Sequence, residues 1–225
     1  MCQFRVKVGS PGHTRQWGKV TANNADSRPI VAFDFDGTLT VRDSFNAFLR
    51  WRVPPARFNA GLARLAPTLA AYALNRDRGR LKAAAVKEFL SGLTAAEVTE
   101  EAGRFCDAAW DRFMRPDALA CWKGWQVKNA RMVIVTASPA ITIEPWARRL
   151  GADDLLGTRL KCDADGRILG PLAGENCRAA EKVARLKERF GEDVTLAAAY
   201  GDTTGDAEML QIAEEAGFRR FKGKP

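Results

Sequence analysis

The 225-residue sequence predicts an α/β protein, a parallel sheet interrupted by an all-helical insertion. Two observations carry that expectation. Ile30-Val31-Ala32-Phe33, Met132-Val133-Ile134-Val135 and Val194-Thr195-Leu196-Ala197-Ala198-Ala199-Tyr200 are apolar runs that stop at polar residues and alternate with stretches of helical spacing, the pattern of buried parallel strands joined by helices. Between the first and second run, residues 45–128 place apolar residues at helical spacing and show no strand-like alternation.

Taken in order, residues 1–28 are rich in Gly, Ser, Asn and Thr without a sustained period and read as a flexible extension. They contain no apolar run of the kind a secretory signal needs. The core is expected over 29–44 and 129–225, its first strand emptying at Asp34 into a turn at Gly37. Within 45–128, Leu62, Leu65 and Leu69, then Val86, Phe89 and Leu90, then Phe105, Ala109 and Phe113 mark helix faces. Pro54-Pro55, Pro67, Gly79 and Pro116 divide this segment into about four helices. Further helices are expected over 145–150, 181–187 and 206–210, with a small hairpin between Thr158 and Gly170. No stretch reaches roughly 18 apolar residues free of charge, the length a spanning helix requires.

Composition narrows the chemistry. The single histidine, His13, lies in the N-terminal stretch, which argues against Ser-His or Cys-His catalysis and against histidine-rich zinc sites. What remains is carboxylates, hydroxyls, lysines and backbone amides, the groups suited to hard cations and phosphate. Thirty-five Lys and Arg against 27 Asp and Glu give a net charge of +8, so an anionic partner is expected. The five cysteines are scattered without C-x-x-C spacing, consistent with reduced thiols and a cytoplasmic setting.

The pentapeptide Asp34-Phe35-Asp36-Gly37-Thr38 ends the first strand with two carboxylates flanking a residue that points the other way. Such a pair can share a divalent cation, or divide the roles of nucleophile and acid. Taken singly, Thr136 is a strand-end hydroxyl, Lys182 a helix lysine and Asp206 a helix cap. Together the segments Asp34-Phe35-Asp36-Gly37-Thr38-Leu39-Thr40, Val135-Thr136-Ala137-Ser138, Glu181-Lys182 and Gly201-Asp202-Thr203-Thr204-Gly205-Asp206 resemble, in order, the four motifs of the haloacid dehalogenase superfamily. That resemblance runs from Pro29 to Pro225 and implies a three-layer Rossmann-like parallel sheet carrying a small helical cap inserted over 45–128.

The resemblance further implies Mg²⁺ held by Asp34, Asp202 and the main-chain carbonyl of Asp36, with Asp206 orienting the metal's surroundings. Thr136, Lys182 and the amides near Gly37 and Ala137 would hold phosphoryl oxygens. Asp34 would attack phosphorus to form an aspartyl-phosphate, and Asp36 would act as acid and then base. Asp36 favours phosphomonoester hydrolysis, although a phosphomutase would keep the same residue. The cap resembles that of the phosphoserine-phosphatase-like subgroup, where an acid at the place of Asp43 helps hold a substrate ammonium; here Arg42 adjoins it, and Gly205 stands where those enzymes carry Asn.

The Arg42-Asp43-Ser44-Phe45 context and the Arg-rich cap resemble instead the bacterial branch containing phosphatidylglycerophosphate phosphatases. The expected substrate is therefore a small or lipid-headgroup phosphate, with a phosphoserine-type amino-acid phosphate as the alternative. Residues 42–82 hold nine Arg and Lys against two Asp, a net +7, around an apolar stretch from Phe58 to Leu74. Packed cap helices with solvated arginines account for this; peripheral contact with anionic lipid at the inner membrane face is the functional alternative. A basic nucleic-acid-binding module, with Trp51, Trp122 and Trp125 as stacking platforms, is a further class of reading, and no nucleic acid is expected because the basic residues do not interleave with an aromatic strand surface.

Overall fold

The computed structural model describes residues 27–225; the extension expected over 1–28 lies almost wholly outside them. Strand β1 (Ile30–Phe33) is the centre of the sheet, which explains why every residue of its run is apolar: Val31, Ala32 and Phe33 are wholly buried with layers on both faces. β2 (Arg131–Pro139) and β6 (Leu196–Gly201) pair with it in parallel on either side, with Phe33 level with Ile134 and with Tyr200. β3 (Asp154–Thr158) and β7 (Ala213–Phe218) close the edges, giving the parallel order β3-β2-β1-β6-β7. β4 (Leu160–Cys162) and β5 (Ile168–Leu172) form the separate antiparallel hairpin expected from Asp165-Gly166.

The two edge strands carry no apolar run. In β7 the residues Glu214 and Glu215 face solvent, as an edge strand allows, and Gly217 is present because a Cβ there would stand 2.3 Å from the Tyr200 ring.

The insertion contains α1 (Ser44–Arg52), α2 (Pro55–Asn75), α3 (Arg78–Leu90) and α4 (Ala95–Phe113), followed by α5 (Pro116–Val127). Pro67 does not divide the segment, contrary to expectation. It lies inside the continuous α2, where it and Ala63, whose carbonyl it leaves without a donor, are both exposed to water. The true break comes at Ser91–Leu93, where Gly92 takes φ +85° and Thr94 and Glu97 form a reciprocal capping box that starts α4. α5 packs on the sheet: Trp122 lies 5.0 Å from the Phe33 ring and donates from Nε1 to the Leu150 carbonyl at 3.0 Å.

The remaining helices are α6 (Ala140–Leu150), α7 (Ala180–Phe190) and the short α8 (Ala207–Gln211), longer than or shifted from the expected 145–150, 181–187 and 206–210. Buried Trp146 on α6 gathers Phe35 from the core and Phe105, Trp110 and Phe113 from α4, so cap and core share one aromatic cluster.

Replacing Trp122 with Ala should cost about 3–5 kcal/mol in urea unfolding, while Trp51→Ala at a half-exposed site should cost under about 1 kcal/mol. Equal costs would contradict the packing of Trp122 on the sheet.

Candidate active site

Ligands of open parallel sheets bind beyond the carboxyl ends of the strands, and here Asp34 and Asp202 directly follow β1 and β6 while Thr136 lies near the end of β2, around one crevice. Lys182 reaches it from the first turn of α7, and Asp206 from the turn before α8. Asp34, Lys182 and Asp206 are 7%, 1% and 2% exposed, so three charges sit away from water and must satisfy one another.

The Lys182 ammonium does this with all three of its donors. It donates to Asp34 Oδ1 at 2.6 Å, Asp206 Oδ1 at 2.7 Å and the Val135 carbonyl at 2.6 Å. Burial alone would push this lysine down, but the two carboxylates outweigh it and hold its pKa above the usual range. Burial raises Asp34 from 3.8 to about 7 despite the opposing pull of Lys182. Asp206, also pushed up by burial, is held below the usual range by Lys182 and by hydrogen bonds from Thr203.

The carboxylates differ in what they have left to offer. Both oxygens of Asp206 are committed, Oδ1 to Lys182 and Oδ2 to the Asp202 and Thr203 amides and the Thr203 hydroxyl. Asp202 is half-buried, its pKa raised by burial and then by Asp206, and its Oδ1 is buried without a hydrogen-bond partner. One oxygen from each of Asp34, Asp202 and Asp206 lies within 4.8 Å of the others. An orphaned Asp202 oxygen facing two more hard donors fits a small divalent cation: Asp202 Oδ1 would ligate it together with Asp34 Oδ2, which accepts a long 3.3 Å bond from the Thr38 hydroxyl, while Asp206 holds the Asp202 loop in place. Gly37, at φ +88°, is required here because a Cβ would stand 2.3 Å from Asp202 Oδ2.

Asp36 is fixed differently. Its Oδ1 accepts from the Ser44 amide at 2.7 Å and its Oδ2 from the Ser138 hydroxyl at 2.5 Å, and its pKa is raised by burial and by nearby Asp43. Two adjacent carboxylates thus have separate surroundings, one against an ammonium and one against hydroxyl and amide donors.

The other expected residues have specific partners. Thr136 Oγ1 accepts from the Ser138 amide at 3.0 Å, and the Gly37 amide approaches Thr40 Oγ1 at 3.4 Å. The Ala137 carbonyl accepts from Thr158 Oγ1 at 2.6 Å and from Lys82 Nζ. Asp43 caps α1 by accepting from the Asn46 amide at 2.7 Å, and the Arg42 guanidinium rests over the Phe113 ring at 5.0 Å.

Lys82, Ser138, Asn176 and Arg178 were not singled out as site residues by the sequence. Lys82 comes from the cap yet stands half-buried near the end of β2, donating also to Asn176 Oδ1 at 3.0 Å; loss of solvent lowers its pKa to about 8. Its basic neighbours gave no signal distinguishing it, since its partners lie 55 and 94 residues away. Ser138 did lie within the quoted second motif.

Fold and site together define a haloacid dehalogenase-like hydrolase, and the chain belongs to that family, which matches residues 31–211. It is 61% identical over 196 residues to protein CicA of Caulobacter vibrioides, covering 87% of this chain and 88% of that one. A protein of unknown function from Bordetella pertussis Tohama I has a solved structure that matches with a TM-score of 0.67 at 22% identity, over 83% of this chain and 87% of its own. A phospho-aspartyl intermediate analogue of phosphoserine phosphatase matches with a TM-score of 0.51 at 20% identity, over 85% and 86%. These last two are likenesses of fold alone.

Asp34, with its native pKa above the ordinary value, keeps a proton between about pH 4 and 7 that the unfolded chain releases. The stability this confers is complete below pH 4 and is lost as pH rises through 7. In chelator, the unfolding free energy of wild type minus that of Asp34→Asn should therefore fall by a few kcal/mol across that window. A difference that stays flat or grows would show that Lys182, not burial, governs Asp34.

Proposed function

We propose that this chain is a Mg²⁺-dependent phosphomonoester hydrolase that works through an aspartyl-phosphate, on a small or lipid-headgroup phosphate. The observation that carries the reading is the unlike fixation of Asp34 and Asp36 at one strand end, which separates a nucleophile from an acid. The ester phosphate enters the crevice with its oxygens toward the Thr136 hydroxyl and the Lys182 charge. Because Lys182 already uses its three protons, direct contact with phosphate requires it to exchange one of these bonds. Asp34, Asp202 and the Asp36 carbonyl would hold Mg²⁺, which when bound would neutralise phosphoryl charge.

Asp34 attacks phosphorus, the bond to the ester oxygen breaks, and Asp36 gives its proton to the departing alkoxide. Asp36, now a carboxylate, takes a proton from water; the resulting hydroxide attacks phosphorus, releasing phosphate and restoring Asp34. Ser44 and Ser138 keep Asp36 aimed through both halves.

One oxygen of Asp43 is occupied at its own helix end, which favours esters without an ammonium over amino-acid phosphates. Trp122 is buried and half-buried Trp125 donates to the Tyr200 hydroxyl at 2.9 Å, so neither supports the stacking that a nucleic-acid module would need. No helix of the described residues is long and apolar enough to cross a membrane. α2 nevertheless exposes Leu62, Leu69 and Leu74, the last 89% accessible, next to the arginines of the α2–α3 turn, and this supports peripheral contact with anionic lipid.

Asp34→Asn should lower phosphate release from p-nitrophenyl phosphate by at least about 10³-fold, and Asp36→Asn should slow it while leaving Asp34 able to accept phosphate. Undiminished turnover in Asp34→Asn, or in excess chelator, would sink the mechanism. In vesicle co-sedimentation, binding should rise with anionic lipid content and weaken in Leu74→Glu; binding indifferent to both would remove the membrane contact.

A further inference from the structure

Where the cap meets the core, a cleft of about 580 Å³ opens between the α2–α3 turn and the loop before α7. Tyr72, Arg76, Asp77 and Arg78 line it from the cap, and Asn176 and Arg178 from the core. Its volume is that of a small-molecule site.

Its charge is unspent. Elsewhere on the cap Arg52 is paired with Glu101, and Arg57 and Arg64 with Glu88. Among the described residues Arg76, Arg78 and Arg178 make no ion pair, and the one carboxylate in the lining, Asp77, accepts from the Arg80 amide at 2.8 Å to cap α3. Three guanidinium groups thus line the cleft, that of Arg76 over the Tyr72 ring at 5.8 Å, against one carboxylate that already caps a helix.

Arg178 is also built into place. Its Nη1 and Nη2 donate to the hydroxyls of Thr203 and Thr204, each at 3.3 Å, in the loop that carries Asp202. Gly205 is what admits it, because a Cβ there would stand 1.9 Å from Arg178 Nη1. The following residue, Ala179, takes the unfavourable φ of +54° to turn the chain, and donates its amide to the Gly205 carbonyl at 2.8 Å. The cleft adjoins the crevice through two of its lining residues: Arg178 holds Thr203, the residue after Asp202, and Asn176 accepts from Lys82, which reaches the Ala137 carbonyl beside Thr136.

We propose that this cleft receives a second anionic group of the substrate, a phosphate or a carboxylate borne by the leaving alcohol, while the scissile phosphate sits at Asp34. This rests on the phosphatase reading above and narrows it. A crevice of four aspartates repels a second anion, whereas guanidinium forks bind one bidentately. The substrate is thereby oriented with its two anionic ends in different places.

The test compares kcat/KM on p-nitrophenyl phosphate and glycerol 3-phosphate, which carry one anionic group, with 3-phosphoglycerate, fructose 1,6-bisphosphate and a short-chain phosphatidylglycerophosphate. These last place a carboxylate, a phosphomonoester and a phosphodiester at the second position. Wild type should prefer at least one of them over glycerol 3-phosphate by about tenfold or more, the worth of one charge-assisted contact. That preference should collapse through KM in the exposed double variant R76S/R78S and in R178Q. A wild type that hydrolyses the esters without preference overturns the inference and leaves the phosphatase standing, as does a preference that both variants retain. A wild type that hydrolyses none of them, p-nitrophenyl phosphate included, overturns both readings.

Discussion

The buried Lys182 ammonium is the constraint on which the rest of the site depends. It is shared between Asp34 at the end of β1, Asp206 before α8 and the Val135 carbonyl in β2, so one side chain ties three elements and α7 together. Without it, two carboxylates would face each other away from water, an arrangement that neutralises itself by protonation or does not form. With it, Asp206 stays charged and organises the 202–203 amides, which leaves an oxygen of Asp202 unpartnered. A removable buried charge pair is poor evidence of stability, and its retention here serves a site that must stay ionised and ordered.

The cap is tied to the β4–β5 hairpin by backbone hydrogen bonds between Gly92, Leu93 and Ile168, and beyond these it is held by two contrasting contacts. Around Trp146 the joint is apolar and tightly packed, with Phe35 beneath the catalytic turn and Phe105 and Phe113 from α4 on the same indole. At the other end α3 sends a half-buried lysine, Lys82, onto a carbonyl of the second motif and onto Asn176. The first contact resists shear because packed aromatics have few alternative arrangements. The second is polar and breaks by exchange with water.

Much of this was legible in the sequence, and what was not has physical reasons. The central strands announced themselves because burial on both faces permits only apolar residues, as in Ile30–Phe33. Edge strands obey no such rule, so Ala213–Phe218, with two glutamates toward solvent, offered no strand signal. Pro67 misled because a proline's effect depends on whether the freed carbonyl finds water, a property of the tertiary surface. In the site, strand ends and motif order brought Asp34, Thr136, Lys182, Asp202 and Asp206 together on the page. Lys82 could not be found that way, since only the packing of α3 decides which of several basic residues turns inward.

The same distinction changes the meaning of the cap's positive charge. Counted along the chain, residues 42–82 carry a net +7. In space the charge divides: Arg52, Arg57 and Arg64 are balanced by Glu88 and Glu101 and contribute to holding α2 and α4 against α1 and α3. Arg42 and Arg50 lie over Phe113 and Phe58, where they shield apolar rings as much as they carry charge. What remains uncompensated is concentrated at the α2–α3 turn, and the core adds Arg178 to it through a glycine in the fourth motif. Charge left unpaired beside a crevice of aspartates raises the potential only where substrate must lie, so the field of the cap selects the phosphate ester while the buried lysine governs its cleavage.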